Sequence, residues 1–422
     1  MAEREAEVLV QIAGEDVLAG TLWFHRRRQV ESQTFAYAAD YVARPDAYEL
    51  DPMLHLTTAS QHTPPGRATF GAFSDCAPDR WGRRLIARTE HKRAEREGDA
   101  ERSFGEVDYL LGARDDMRQG ALRFRDPESA AFLADDASGV PPLLELPTLL
   151  NAAARLERDE ASEEELRTLL RGGSSLGGAR PKAHVIDSRG AAAIAKFPGA
   201  VGDEWDVVRW ELVALRLARE AGLDVPAADL HMVDGKPVLI VDRFDRVGTG
   251  RIGYVSAMTM LETTDGQQGS YLEIADAIER HSPSAARDLH ELWRRVAFSI
   301  LISNTDDHLR NHGFLRTSSA CWKLAPAFDL NPNPAPGTRY LSTAIDFDDP
   351  TASIETLLAV ADAFRLGEDA ARQTLSEVAR ATARWWKAAA DAGLPEAEVT
   401  RMTLAFEHDQ AKTGSFFSKT SP

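Results

Sequence analysis

Apolar residues at Leu289, Leu292, Trp293, Val296, Ala297, Ile300 and Leu301 recur at i, i+3, i+4, i+7 and i+8. That stripe predicts a core-facing helix ending in a polar loop. A different period governs residues 7–60, where Val8, Val10 and Ile12, then Leu22 and Phe24, then Phe35, Tyr37 and Tyr41 alternate as half-buried antiparallel strands do. Residues 77–115 read as helical, with Arg83–Arg102 a solvated charged face, and a charged amphipathic helix is expected over Thr148–Arg171. Strands follow at 183–187 and 191–197, joined by the turn Ser188-Arg-Gly190. A helix over 204–221, with Trp210, Val213, Ala214, Leu217 and Ala218 on one side, stops at Gly222. Asp234-Gly235 then marks a hairpin whose second strand holds the wholly apolar Val238–Val241, suited to a central position. Asn331-Pro-Asn-Pro-Ala-Pro-Gly337 is barred from regular structure by its prolines. Residues 353–412 read as three helices with Trp385 and Trp386 in the core, and Thr413–Pro422 as a frayed polar tail.

At 422 residues the chain calls for two or three packed domains. The expected division is 1–125, strand-rich; 126–147, an Asp-, Ala- and Pro-rich linker; 148–248; 249–412, mostly helical; and the tail 413–422. A net charge of -17, from 49 Lys and Arg against 66 Asp and Glu, argues against unaided binding to nucleic acid or an anionic membrane and suits a basic partner. Cys76 and Cys321 are too few for a disulfide framework and too far apart for a CxxC site. With no signal-peptide pattern and no apolar run of spanning length, a cytoplasmic protein is expected.

The polar loop after the apolar helix offers Asp306 and Asn311 five residues apart, and a short strand leads to a second acid, Asp329. Phosphoryl transfer from ATP needs a carboxylate at the attacking hydroxyl and oxygen ligands for magnesium on the phosphates. Protein kinases meet this with Asp-x-x-x-x-Asn and a later Asp. The same residues also suit a helix end or a turn. A zinc or iron site from Asp306, Asp307 and His308 is disfavoured, because three consecutive side chains point in different directions. Upstream, Arg171-Gly-Gly-Ser-Ser-Leu-Gly-Gly-Ala-Arg-Pro-Lys182 either brings backbone N–H groups to phosphate oxygens or simply joins hairpin strands. It fits neither G-x-x-x-x-G-K-[ST] nor G-x-G-x-x-G. Lys196 ends the second strand in a kinase-like Ile-Ala-Lys, Glu211 is the candidate salt-bridge partner for it, and Asp242-Arg-Phe244 falls where a hinge would hold adenine.

In Ser175-Leu-Gly-Gly-Ala-Arg-Pro-Lys182, Val241-Asp-Arg-Phe-Asp-Arg246, Asn304-Thr-Asp-Asp-His-Leu-Arg-Asn311, Leu324-Ala-Pro-Ala-Phe-Asp329 and Gly71–Arg83, the chain resembles the HipA-type toxin kinases. The resemblance covers about residues 5–400 and implies an α+β fold, with a bilobal protein-kinase-like core, an N-terminal strand-rich subdomain and an all-helical C-terminal lobe. It implies Asp306 as catalytic base, with Asn311 and Asp329 on Mg2+. ATP contacts are implied from Gly177, Gly178, Ala179, Arg180, Pro181 and Lys182, from Lys196, from Asp242, Arg243 and Phe244, and from His308, Leu309, Arg310 and Asn311. Ser175 aligns with an autophosphorylated serine that displaces the glycine loop. Two departures are Arg310 for the more usual lysine and Asp242 for a common glutamate. The implied partners are a small helix-turn-helix antitoxin, DNA only through that antitoxin, and a protein substrate such as an aminoacyl-tRNA synthetase. Two other functions fit the motifs: a small-molecule phosphotransferase of the aminoglycoside-kinase kind, and a pseudokinase acting as scaffold or co-repressor.

Overall fold

The computed structural model describes residues 4–420 except 29, 135–138, 174–177, 179, 319–320 and 348, and the side chains of 415–420 are not described. The chain forms two compact units, one of residues 1–202, 232–255 and 315–320, the other of 203–231, 256–314 and 321–422. This division differs from the sequence expectation: the first 202 residues belong together, and the helix after residue 204 belongs with the C-terminal half.

In unit one, β1 (Arg4–Ile12), β2 (Glu15–Arg27), β3 (Val30–Tyr37), β4 (Gln61–His62) and β5 (Leu122–Arg125) form a sheet in the order β4-β3-β2-β1-β5. Strict alternation fails in β1, where Val8, Leu9 and Val10 are all buried. A register shift between Val8 and Leu9 explains it, since an irregularity there turns consecutive side chains to one face. Tyr41, expected in a strand, lies in the helical turn Ala39–Val42 with its ring stacked 5.5 Å from that of Tyr37.

A second sheet runs β6-β7-β9-β8, from β6 (Lys182–Ile186), β7 (Ala192–Lys196), β8 (Ala228–Val233) and β9 (Lys236–Asp242). The β8–β9 turn has positive φ at both Asp234 (47°) and Gly235 (76°), as a tight two-residue hairpin requires. β9 is the buried strand its composition predicts, with Val238 to Val241 no more than 6% exposed. The single helix expected over 148–171 is two, Leu146–Glu157 and Glu163–Arg171. Asp159 turns left-handed (φ 59°) between them, and Ser162 and Glu165 close a capping box on the second. These helices, together with Arg80–Glu97 and the second sheet, share one apolar cluster that includes Trp81, Leu85, Leu149, Leu156, Leu166, Val185, Ala195 and Val238.

Unit two is built around Ala285–Leu301, where all seven stripe residues are 0 to 1% exposed. It also holds Val207–Glu220, capped by Asp206, and Tyr271–His281. It is not all helical: Gly269–Ser270 pairs in parallel with Thr343–Ala344. Beyond residue 353 come Ile354–Ala359, Glu368–Thr382, Trp385–Asp391, Glu396–Phe406 and Asp409–Thr420, the last occupying most of the expected frayed tail. Trp385 is buried and stacked on Phe406 at 5.0 Å, whereas Trp386 is 60% exposed: the two neighbours point to different sides of their helix. Among the described residues no helix is long and apolar enough to cross a membrane.

Candidate functional site

The Ala285–Leu301 helix ends in a sharp turn at Ser303 (φ 55°). From there the loop presents Asp306 exposed to solvent while both its neighbours are tied down. The Thr305 carbonyl accepts from the Ser342 N–H at 3.1 Å and the Ser342 hydroxyl at 3.0 Å. On the other side, the Asp307 carbonyl accepts from the Thr343 hydroxyl at 2.7 Å. Leu309–Asn311 then makes a 3-10 turn that brings Asn311 back to Asp306, its Nδ2 donating to the Asp306 carbonyl at 3.1 Å. Asp329 has φ 58°, a backbone region uncommon outside glycine, where strain often marks a functional position. Asn331 Nδ2 donates to the Asp329 carbonyl (3.2 Å) and Oδ1 (3.3 Å). The Asn331 N–H reaches Asn304 Oδ1 at 3.4 Å, and Asn333 Nδ2 donates to Thr305 Oγ1 at 2.9 Å. These asparagines tether Asp329 to the loop carrying Asp306 and Asn311.

Sequence reasoning missed what supports this loop. Asp307 is buried, its Oδ2 accepting from the Tyr271 hydroxyl at 2.6 Å and the Ser299 hydroxyl at 3.1 Å, and its Oδ1 lies 3.1 Å from His312 Nε2. Burial pulls the Asp307 carboxyl up, but the electrostatic attraction of the His312 ring 3.1 Å away and the hydrogen bonds from Tyr271 and Ser299 outweigh it and hold it below its ordinary value. Burial, then the charge of Asp307, raises the Tyr271 phenol well above its usual range. The His312 ring meets Tyr271 edge-on at 5.5 Å. The one usable signal is a doubled acid in Asp306-Asp307: only one of the two faces solvent.

Among the other loop residues, His308 Nδ1 is buried with no hydrogen-bond partner among the described residues, an atom left over for a ligand. The Leu309 side chain is buried where Gly269 leaves room, since a Cβ there would lie 2.7 Å from Leu309 Cδ1. Arg310 is held by Asp265 through Nε (3.0 Å) and Nη2 (2.9 Å). Asn311 spends its amide nitrogen on the loop and so presents Oδ1, and Asp329 supplies a carboxylate. Two such oxygen donors fit Mg2+, which takes few protein ligands and completes its shell from phosphates and water. Among the described residues no three His, Cys, Asp or Glu cluster to hold a metal by themselves.

In unit one, Ser175, Gly177 and Ala179 lie outside the described residues. Gly178 and Arg180 are exposed, and the Pro181 carbonyl accepts from the Phe197 N–H at 3.0 Å. Lys182 stands opposite Lys196 across the β6–β7 pair, and its Nζ lies 2.8 Å from Asp79 Oδ2. Asp242 takes Arg189 Nη2 at 3.2 Å, and Phe244 neighbours Tyr254 at 6.2 Å between ring centres. The Arg243 side chain is turned into the protein. Its Nε and Nη2 donate to the Asp245 carboxylate at 2.8 and 2.7 Å. Nη1 reaches the Met117 carbonyl and His184 Nδ1, and Nη2 also reaches the Arg118 carbonyl. All five guanidinium N–H groups are thereby spoken for, and the side chain is structural. Glu211, in unit two, is 4% exposed on Val207–Glu220.

The family model of the HipA-like C-terminal domain matches residues 174–386, and that of the HipA N-terminal domain matches residues 10–102. A Haemophilus influenzae protein named "Putative kinase" is 28% identical over 135 residues, 28% of this chain and 39% of its own. The Sinorhizobium fredii protein "Putative kinase Y4mE" is 29% identical over 148 residues, 32% of this chain and 33% of its own. The matched part thus spans only a third to two fifths of these relatives' length. Among solved structures, the Shewanella oneidensis MR-1 HipA, in a toxin–antitoxin complex with HipB and operator DNA, has a TM-score of 0.65 at 16% identity over 99% of this chain and 100% of that one. At that identity the likeness is one of fold.

Proposed function

We propose, on the premise that this chain belongs to the HipA family, that it is a kinase transferring the γ-phosphoryl group of ATP to serine or threonine hydroxyls of a protein. One observation carries the reading: Asp306 is exposed between two carbonyls, those of Thr305 and Asp307, that are each pinned by a hydroxyl side chain. A carboxylate so held can take a hydrogen bond from an incoming alcohol without reorganising. The alcohol oxygen bonds to the γ-phosphorus as its bond to the β–γ bridging oxygen breaks, the hydroxyl proton passes to Asp306, and ADP departs. Asn311 Oδ1 and the Asp329 carboxylate would hold Mg2+, whose charge would offset that of the phosphates. His308 Nδ1, Lys182 and Lys196 serve the nucleotide in this reading, and Ser175 receives the phosphoryl group in an inactivating self-modification.

The partner named with the Shewanella protein supports a small DNA-binding antitoxin as partner here, and a chain of net charge -17 suits a basic one. DNA is then reached through that partner. Radiolabelled ATP supplied to the purified full-length chain in a cell lysate tests the reading. The wild type should label itself and at least one other protein, Ser175→Ala should lose the self-label, and Asp306→Asn should lose both. ATP bound without any transfer would point to a scaffold. Label appearing only in small molecules would point to a metabolite or antibiotic kinase.

A further inference from the structure

Two residues of the glycine-rich stretch, Gly178 and Lys182, are held by the start of a helix from the N-terminal region. Asp79 caps Arg80–Glu97, its Oδ1 accepting from the Gly82 N–H at 2.8 Å. The other oxygen of the same carboxylate takes Lys182 Nζ at 2.8 Å, with the two side chains only 6% and 10% exposed. Trp81 adds two bonds, its indole donating to the Lys182 carbonyl at 3.1 Å and its backbone N–H, one of the unpaired donors of the first turn, to the Gly178 carbonyl at 3.4 Å. Gly178 itself has φ 116°, and a Cβ there would stand 2.8 Å from Lys182 Nζ. The ammonium thus occupies space that glycine leaves free, directly against the Gly178 backbone.

We propose that Asp79 is a positioning residue of the phosphate end of the nucleotide site, fixing the Lys182 ammonium against Gly178. The proposal rests on the ATP reading above and adds to it a residue from the N-terminal region. The physical argument is geometric. A nearly buried ammonium needs a counter-charge, and a free carboxylate could supply one in many orientations. This carboxylate cannot turn, because one oxygen is spent on the helix cap, so the other defines where the lysine charge sits. Phosphate binding by a lysine gains from having that charge placed beforehand.

Binding of ATP and of adenosine to the full-length chain, measured by calorimetry, tests it. Asp79→Asn keeps the cap, since asparagine caps as well as aspartate, and removes the charge. Its ATP affinity should fall about tenfold, as expected for a displaced charge-assisted contact, while adenosine binding, which involves no phosphate, stays within about twofold. Lys182→Met leaves the cap untouched and should show the same selective loss. In the double variant the two losses should not multiply, because both remove one interaction. An Asp79→Asn protein that binds ATP as well as or better than wild type, one that loses adenosine equally, or two losses that multiply would each overturn the role of Asp79. A wild type that binds no ATP would instead overturn the ATP reading, and the positioning role with it.

Discussion

Asp307→Asn keeps side-chain volume but removes the charge at the centre of the buried Tyr271–Ser299–His312 network. In the native protein its Oδ2 takes hydroxyls from Tyr271 (2.6 Å) and Ser299 (3.1 Å), while Oδ1 faces His312 Nε2 (3.1 Å). An amide offers one acceptor oxygen, so one hydroxyl or the histidine must face an NH2 group instead. Losing one hydrogen bond to a charged group costs about 2 kcal/mol, and weakening the other from charged to neutral costs about 1 kcal/mol more. The estimate of about 3 kcal/mol sits at the lower edge of what breaking a buried charge pair costs, and corresponds to roughly a 150-fold change in the folded-to-unfolded ratio. Urea unfolding followed by tryptophan fluorescence measures it for wild type, Asp307→Asn, Tyr271→Phe and the double variant. The cycle should show a coupling above about 1 kcal/mol, because both changes strike one bond. A loss below about 1 kcal/mol for Asp307→Asn, or strictly additive losses, would refute the idea that this network holds the loop.

Three further outcomes are expected. Burial, then the charge of Arg339, pushes His408 down to about 4, so the native state stays neutral where an unfolded histidine takes a proton below about pH 6.5. The unfolded chain thus binds more protons as pH falls from about 6.5 to 4, stability should drop across that window, and His408→Gln should flatten the drop in urea midpoints. Arg243→Lys replaces five donors by three beside a buried carboxylate and should cost about 2–4 kcal/mol in urea unfolding while leaving ATP affinity within about twofold; lost affinity at full stability would show that the side chain itself serves the nucleotide. Asp329→Asn should abolish phosphoryl transfer with stability changed by less than about 0.5 kcal/mol, since asparagine tolerates a positive φ, whereas Asp329→Ala should cost about 1 kcal/mol as well.

Local periodicity made much of the fold legible. The stripe of Ala285–Leu301, the Asp234-Gly235 hairpin and the buried run of β9 all follow from nearest-neighbour spacing, which the sequence displays directly. The loop acid and its asparagine were equally visible, because a five-residue interval survives folding as a turn. What the sequence hid is contact across long separations. Tyr271 lies 36 residues from Asp307, and Asp79 lies 103 from Lys182. Nothing in spacing distinguishes Asp307, inward and paired, from Asp306, outward and exposed. The burial of the Arg243 side chain on its i+2 aspartate was equally hidden, because a basic residue in an Asp-Arg-Phe segment does not show in one dimension which way it points. The broken helix at 158–162 was legible and overlooked: Ser162-Glu-Glu-Glu165 is a helix start written in the middle of an apparently continuous amphipathic pattern.

The apolar cluster of unit one draws on three stretches of chain. Trp81 and Leu85 come from the first family segment, the strand residues Ala183, Val185, Ala195 and Val238 from the second, and Leu146, Leu149, Leu150, Leu156, Leu166 and Leu169 from the interval that neither segment covers. A fragment begun at residue 174 would carry its sheet with an oily back open to water, inviting aggregation. Truncation to the second family segment alone should therefore fail, and recombination between relatives should succeed only where the crossover carries the intervening leucines along with the tryptophan they cover.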